Sequence, residues 1–276
     1  MTERISRRGL LRTGAVGLSV GLSGCTSATP FVGKREEFSR ELGFDSGTLT
    51  VATGSGDVTV SRTDADTVQL SGVKKASSVF ADLETATVET DAENGRLDIR
   101  AQSEDDSWFG LRSVSVSLDV AVPEGVAVES AASTNGAVTV SDVSGDASLN
   151  SVNGDVEARN VDGFVLLSTT NGSVRARNVA GLRGARTTNG DIRVDVPAID
   201  GATSLTSTNG SIVASLASTL DATVNARTRN GELDVTGLSF DDGSASDHQL
   251  LGTLGDGTYE LVVESTNGDI TLQSAN

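Results

Sequence analysis

Residues 133–194 read STNGAVTVSDVSGDASLNSVNGDVEARNVDGFVLLSTTNGSVRARNVAGLRGARTTNGDIRV, and Asn-Gly returns in them at 135, 153, 171 and 189. Self-similarity at a fixed period marks a chain built from stacked units. The dipeptide occurs again at 209, 230 and 267, so the steps from 135 are 18, 18, 18, 20, 21 and 37 residues. The last step is near two periods of 18, which predicts one coil with an insertion or a worn turn. After each Asn-Gly comes x-Φ-x-Φ, with Φ apolar. The pairs are Val138/Val140, Val156/Ala158, Val174/Ala176, Ile192/Val194, Ile212/Ala214, Leu233/Val235 and Ile270/Leu272. Strict alternation after a turn signal predicts a strand with one buried face. A second punctuation follows at Ser144-Gly145-Asp146, Asp162-Gly163, Ala180-Gly181 and Asp200-Gly201. Each unit therefore reads strand, turn, strand, turn.

Two all-β architectures fit. In a single-chain β-solenoid, parallel β-helix-like with coils of about 18 residues, equivalent residues stack about 4.8 Å apart. In an antiparallel β-meander, Asn-Gly forms type I′ hairpins. The solenoid explains why like recurs on like. The predicted turn ladder is Asn135, Gly136, Asn153, Gly154, Asn171, Gly172, Asn189, Gly190, Asn209, Gly210, Asn230, Gly231, Asn267 and Gly268. Its asparagines would hydrogen-bond amide to amide, and its glycines would supply the positive φ of a corner. Asn94-Gly95 with Leu97/Ile99 fits the same pattern, as does Gly54-Ser55-Gly56-Asp57 with Val58/Val60.

Composition narrows the function. Among 276 residues there are 31 glycines, three prolines, one histidine, one cysteine and 3% aromatics. Few aromatics suit a thin coil. One cysteine excludes an internal disulfide and a cysteine zinc site. One histidine makes any Ser-His-Asp reading rest on His248 alone, which lies in a polar acidic stretch and reads as a surface residue. No metal ligands, cofactor site or catalytic residues are predicted. The formal charge of −17 argues against nucleic acid as a partner, which needs clustered bases.

The N-terminus reads as an address. Arg7 and Arg8 precede an apolar run from Gly14 to Leu22, the pattern of twin-arginine export. Leu22-Ser23-Gly24-Cys25 resembles a lipobox, and Cys25 is the only cysteine. Its thiol is the predicted lipidation point, tethering the mature chain to the outer face of the cytoplasmic membrane or the cell surface. Loss of Glu3, Arg4, Arg7, Arg8 and Arg12 with the signal leaves 37 acids, 17 bases and a charge of −20. Only Lys34, Lys74 and Lys75 are lysines. This acidic, lysine-poor balance points to a halophilic archaeon, where salt screens self-repulsion. The expected organisation is signal 1–24, tether 25–44 and solenoid 45–276, clearest in 133–236, with a C-terminal coil at 259–273. Residues 102–112, with Trp108-Phe109, read as a loop covering the coil end or making a partner contact, and Phe240–Gly257 as an acidic insertion.

The outward positions offer one ligand face. Arg159, Arg175, Arg177 and Arg193 fall at matching offsets, either as a solvated face or as a stripe gripping a polyanion such as an acidic glycan. Asp155, Asp191, Glu232 and Asp269 share the first place after Asn-Gly and alternate with Ala137, Ser173 and Ser211. Two coils of separation would set them about 9–10 Å apart, too far for a retaining glycosidase pair and at the upper edge for an inverting one. Turn capping is their expected role.

Val114–Val140 (VSVSLDVAVPEGVAVESAASTNGAVTV), the repeated S/T-x-N-G-x-Φ-x-Φ, and Gly255-Asp256-Gly257-Thr258-Tyr259 running to Asp269-Ile270 are similar to the prokaryotic "putative adhesin" family of β-strand-repeat domains, whose function is unknown. The resemblance spans residues 45–276. It implies a β-solenoid that is often exported or membrane-attached, with no catalytic residues to carry over. The functional expectation is a lipid-anchored, non-catalytic binding or structural module with a surface glycan or protein partner. The alternatives are a glycan-active enzyme on a β-helix scaffold and a membrane-attached accessory or regulatory protein of an envelope system.

Overall fold

The computed structural model describes residues 33–79, 81–103 and 114–275. Arg7, Arg8, Cys25 and Trp108-Phe109 lie outside the described residues. Strand dominates the described chain, with one short 3₁₀ turn at Leu83–Thr85. The first part holds β1 (Lys34–Leu42), β2 (Gly47–Ser55), β3 (Val58–Arg62), β4 (Val68–Ala76), β5 (Ala86–Glu93), β6 (Arg96–Ser103) and β7 (Val114–Val122). The middle holds β8 (Val126–Asn135), β9 (Val138–Ser144), β10 (Ala147–Asn153), β11 (Val156–Ser168), β12 (Val174–Asn189), β13 (Ile192–Val196), β14 (Thr203–Asn209) and β15 (Ile212–Leu216). The last part holds β16 (Ala222–Asn230), β17 (Leu233–Thr236), β18 (Asp241–Ala245), β19 (Gln249–Leu254), β20 (Tyr259–Asn267) and β21 (Ile270–Ser274).

These strands form two facing layers of a β-solenoid. One layer runs β5-β6-β2-β8-β10-β11-β12-β14-β20-β16-β19-β18. The other runs β1-β4-β7-β3-β9-β11-β12-β13-β15-β21-β17. The long strands β11 and β12 bend and serve both layers. From β2/β3 to β17 every stacked pair is parallel, as a coil requires. Alternate residues point inward, so the x-Φ-x-Φ pairs become two columns of core. Leu49, Leu149, Leu167, Leu182 and Leu205 meet Val58, Val138, Val156, Ile192 and Ile212, all fully buried. Phe38, Phe44 and Phe240 pack only partly buried against this core. They belong to the two ends of the stack, so the narrow interior is aliphatic, as the aromatic count implied.

Stack order departs from chain order at both ends. Coil β2/β3 lies between the later coils β6/β7 and β8/β9. Coil β20/β21 lies between β14/β15 and β16/β17. The 37-residue step is therefore no worn turn. After β17 the chain leaves the stack, forms the antiparallel hairpin β18–β19 over the edge of β16, and returns one coil inward. The stretch read as an acidic insertion is this hairpin.

Two further expectations are corrected and a third is extended. Residues 34–42 of the expected tether are β1, antiparallel to β4. β1 is polar on both faces apart from Phe38 and Leu42, so alternation could not show it. Asn94-Gly95 is not a coil corner. It is a two-residue hairpin turn joining β5 to β6, with φ of 53° and 76°, the type I′ signature. The corner glycines meet a second need beside the expected one. Gly136, Gly190, Gly210 and Gly268 have the expected positive φ, at 154–159°, whereas Gly154, Gly172 and Gly231 do not. Their lack of a side chain lets the next coil close: a β-carbon at Gly136, Gly154 or Gly172 would collide with the carbonyl oxygen of Gly56, Gly136 or Gly154 respectively.

Candidate interaction faces and their corner ladders

The first corner carries three ladders that lock one coil to the next. Asn153, Asn171, Asn189 and Asn209 each donate Nδ2–H to the Oδ1 of the asparagine one coil back, at 2.8 Å. Asn267 then donates to Asn209 at 2.8 Å, and Asn230 to Asn267 at 2.9 Å. The predicted asparagine ladder thus forms with its last two rungs exchanged. Inside it, hydroxyls two places before each Asn donate to the corner-glycine carbonyl of the neighbouring coil. Ser151 reaches Gly136, Thr169 reaches Gly154, Thr187 reaches Gly172 and Ser265 reaches Gly210. These side chains are buried, so each bond removes an orphan donor from the core edge.

The acids that follow the corner glycines form the third ladder. Asp57, Asp155, Asp191 and Asp269 accept the backbone N–H of Ala137, Ser173, Ser211 and Glu232 at 2.8–3.0 Å. In stack order this column reads Asp57, Ala137, Asp155, Ser173, Asp191, Ser211, Asp269, Glu232. Alternation keeps most carboxylates two coils apart and supplies each aspartate with an amide donor, while Glu232, the last of the column, caps none. The capping expectation therefore holds for these aspartates.

One structural ladder escaped the sequence reading. Asp142, Asn160 and Asn178 are left-handed, with φ of 59°, 50° and 50°, and they stack. Asn160 donates to Asp142 at 2.7 Å and Asn178 to Asn160 at 3.1 Å. Only Asx side chains combine tolerance of that backbone with stacking amides. The signal was there, an Asx recurring every 18 residues before Val143, Val161 and Val179.

The four arginines come together on the outer face of the second layer. Arg159 pairs in register with Arg177, and Glu157 with Arg175. Arg175 pairs with Arg193. Arg159 holds Glu157 through Nε and Nη2 at 2.6 and 2.7 Å. That contact, above all, keeps the Glu157 carboxyl below its ordinary range, with the charges of Arg159, Arg175 and Arg177 adding to it. Arg175 reaches Asp155 at 3.1 Å, and Arg193 reaches Asp191 at 3.0 Å. Arg177 has no hydrogen bond or ion pair among the described residues.

A second cluster, also missed, sits at the other corner. Arg183 bridges Asp146 and Asp200 at 2.7 and 2.8 Å and lies 5.4 Å from the centre of the Phe164 ring. Gly181 leaves the space that this ring fills. His248 is exposed, and its Nδ1 is 2.8 Å from the Gly231 carbonyl, so it helps fasten the terminal hairpin.

The model of one family, Toastrack DUF4097, matches residues 111–273, more than half the chain. The chain belongs to the Toastrack DUF4097 family. The match covers the parallel Toastrack stack from β7 to β21. No curated protein matches the chain. Among solved structures, a "putative cell adhesion protein" from Clostridium sporogenes is similar at 12% identity and a TM-score of 0.39, over 88% of this chain and 100% of that one. A "putative adhesin" from Bacteroides fragilis is similar at 10% identity and a TM-score of 0.41, over 86% of this chain and 97% of that one. A "Putative lipid binding protein" from Parabacteroides distasonis shares 11% identity at a TM-score of 0.28, over 87% of this chain and 97% of that one.

Proposed function

We propose that this Toastrack chain is an exported surface module that binds or scaffolds without catalysis, held to the membrane by a lipid on Cys25. The observation that carries the reading is the use of the corner acids. Asp57, Asp155, Asp191 and Asp269 are spent on capping the amides of neighbouring coils. What the coils present outward is two flat, repeating faces. Such faces suit many weak contacts with an extended partner, where avidity replaces a deep pocket. Arg7-Arg8 and the Leu22–Cys25 lipobox support export and anchoring. The charge of −17 with three lysines supports a high-salt setting, which would show as loss of strand circular dichroism at low salt.

Fractionation of cells expressing the full chain and its Cys25→Ser variant, followed by surface crosslinking, tests the reading. The parent should partition with membranes and crosslink to a surface glycan or protein, and the variant should be released. A parent that stays in the cytoplasm, or a variant that remains equally membrane-bound, would overturn it.

A further inference from the structure

We propose that Arg159, Arg175, Arg177 and Arg193 form a docking site for an acidic polysaccharide laid across the coils. The inference rests on the surface-module reading and names its ligand class. Four of the six arginines on the adjacent strands β11, β12 and β13 share this outer face. Two like-charged pairs, Arg159–Arg177 and Arg175–Arg193, sit directly opposite each other in the ladder. Like charges so placed are destabilising. Glu157, Asp155 and Asp191 offset part of this by pairing with Arg159, Arg175 and Arg193, and Arg177 is left without an acidic partner among the described residues. An anionic partner removes what remains.

The rest of the face fits a sugar polymer. On one side of the arginines the outward positions are Thr59, Ser61, Thr139 and Ser141, all in register. On the other they are Val213, Ser215, Thr271 and Gln273. The track is rich in hydroxyls and these outward positions are uncharged; Arg62 and Asp142 are the charged residues of β3 and β9. Coils repeat at about 4.8 Å, on the scale of one pyranose ring. Guanidinium forks match carboxylates and sulfate esters two oxygens at a time. Arg175 and Arg193 each spend one terminal nitrogen on a corner aspartate, which aims the fork while leaving donors over. Arg177, between Arg159 and Arg175, has all its donors to offer.

Other polyanions fit less well. The outward positions of this face hold no aromatic side chain on which a base could stack. Apart from Val213 they hold no apolar side chain to enter a bilayer.

The test is binding of the full chain to polygalacturonate, dextran sulfate, neutral dextran, phosphatidylglycerol vesicles and duplex DNA. Binding to one or both acidic polysaccharides but not to dextran is expected, and the two arms separate a carboxylate from a sulfate ligand. Arg175→Gln with Arg177→Gln should weaken that binding roughly tenfold or more, the scale of one lost charge-assisted contact. Arg177→Lys should weaken it less, keeping the charge without the fork. Arg227→Gln, on the opposite layer, should leave it unchanged, and unaltered circular dichroism would show that each variant is folded. No binding to either acidic polymer, equal loss with Arg227→Gln, or tighter binding to vesicles or DNA would overturn the proposal. A partner still captured by surface crosslinking would then leave the surface-module reading standing.

Discussion

The middle of the stack and its two ends solve the same problem differently. From β8 to β15 each coil rests on its sequence neighbour, all pairings are parallel, and the corners repeat one chemistry. At the ends the chain folds back. β1, β4 and β5 pair antiparallel at one end, β18 and β19 at the other, and a late or early coil is tucked one layer inward. A solenoid that simply stopped would leave an aliphatic core and an open row of backbone groups to aggregate. Here the edge strands β1 and β5 carry charge, and β18 is short and acidic. The middle thus teaches how coils propagate, and the ends how propagation is stopped.

Removing the tucked coil is the severest way to break that contrast. Deleting residues 259–276 takes out β20 and β21 with Leu261, Val263, Ile270 and Leu272, all fully buried. At about 1.5–3 kcal/mol per buried side chain, their loss rivals the whole stability of about 5–15 kcal/mol. It also separates β14 from β16 by a missing layer. The truncated chain should show no cooperative urea transition by circular dichroism. If it melts like the parent, the ends are appendages rather than part of one cooperative unit.

Next in size is the glycine contrast. Gly154→Ala sets a methyl against the Gly136 carbonyl and should force two coils apart, at a cost well above the roughly 1 kcal/mol of a strained turn position. Gly95→Ala meets open space and costs only its left-handed φ of 76°, about 1 kcal/mol. Equal losses in the two variants would show that the dipeptides do the same job after all. A smaller effect belongs to the buried hydroxyls. Thr169→Val keeps the shape but leaves the Gly154 carbonyl without its side-chain donor, for about 1 kcal/mol in chemical denaturation.

That contrast also explains what could be read from the sequence. Where stack order equals chain order, the 18-residue period exposes strands, corners, the asparagine column and the arginine face together, because stacking converts fixed spacing into contact. At the ends spacing no longer means adjacency. Asn209 touches Asn267, 58 residues away, rather than Asn230. Nothing local in 258–276 announces that exchange. Asn94-Gly95 and Asn135-Gly136 look identical in letters, and only the partner of the following strand decides between hairpin and corner. Arg183 escaped because its meaning lies in three other turns, those of Asp146, Phe164 and Asp200.

The smallest expected effect is a change of acid sensitivity at the second corner of the middle coils. The Asp146 carboxylate accepts the Phe164 N–H at 2.9 Å and pairs with Arg183 at 2.7 Å. The backbone bond first, and Arg183 after it, hold Asp146 below its ordinary value of 3.8. A carboxyl depressed in the folded state binds fewer protons there than in the unfolded chain. Its stabilisation is therefore fully present above about pH 4 and is lost as pH falls through the lowered folded value. Asp146 is half exposed, so solvent screening keeps its share well under 1 kcal/mol. Asp146→Asn should leave the melting temperature at pH 7 nearly unchanged and shrink its fall between pH 4 and pH 2. At the C-terminal end, Asp221 is lowered likewise, chiefly by the Thr258 hydroxyl at 2.6 Å. That contact ties β16 to the loop leading into β20, so Asp221→Asn reports on the tucked coil and Asp146→Asn on the continuous stack. If acid opens the ends first, partial unfolding at low pH should respond to Asp221→Asn, and the main transition to Asp146→Asn. A single transition shifted alike by both would mean that the ends and the middle unfold as one.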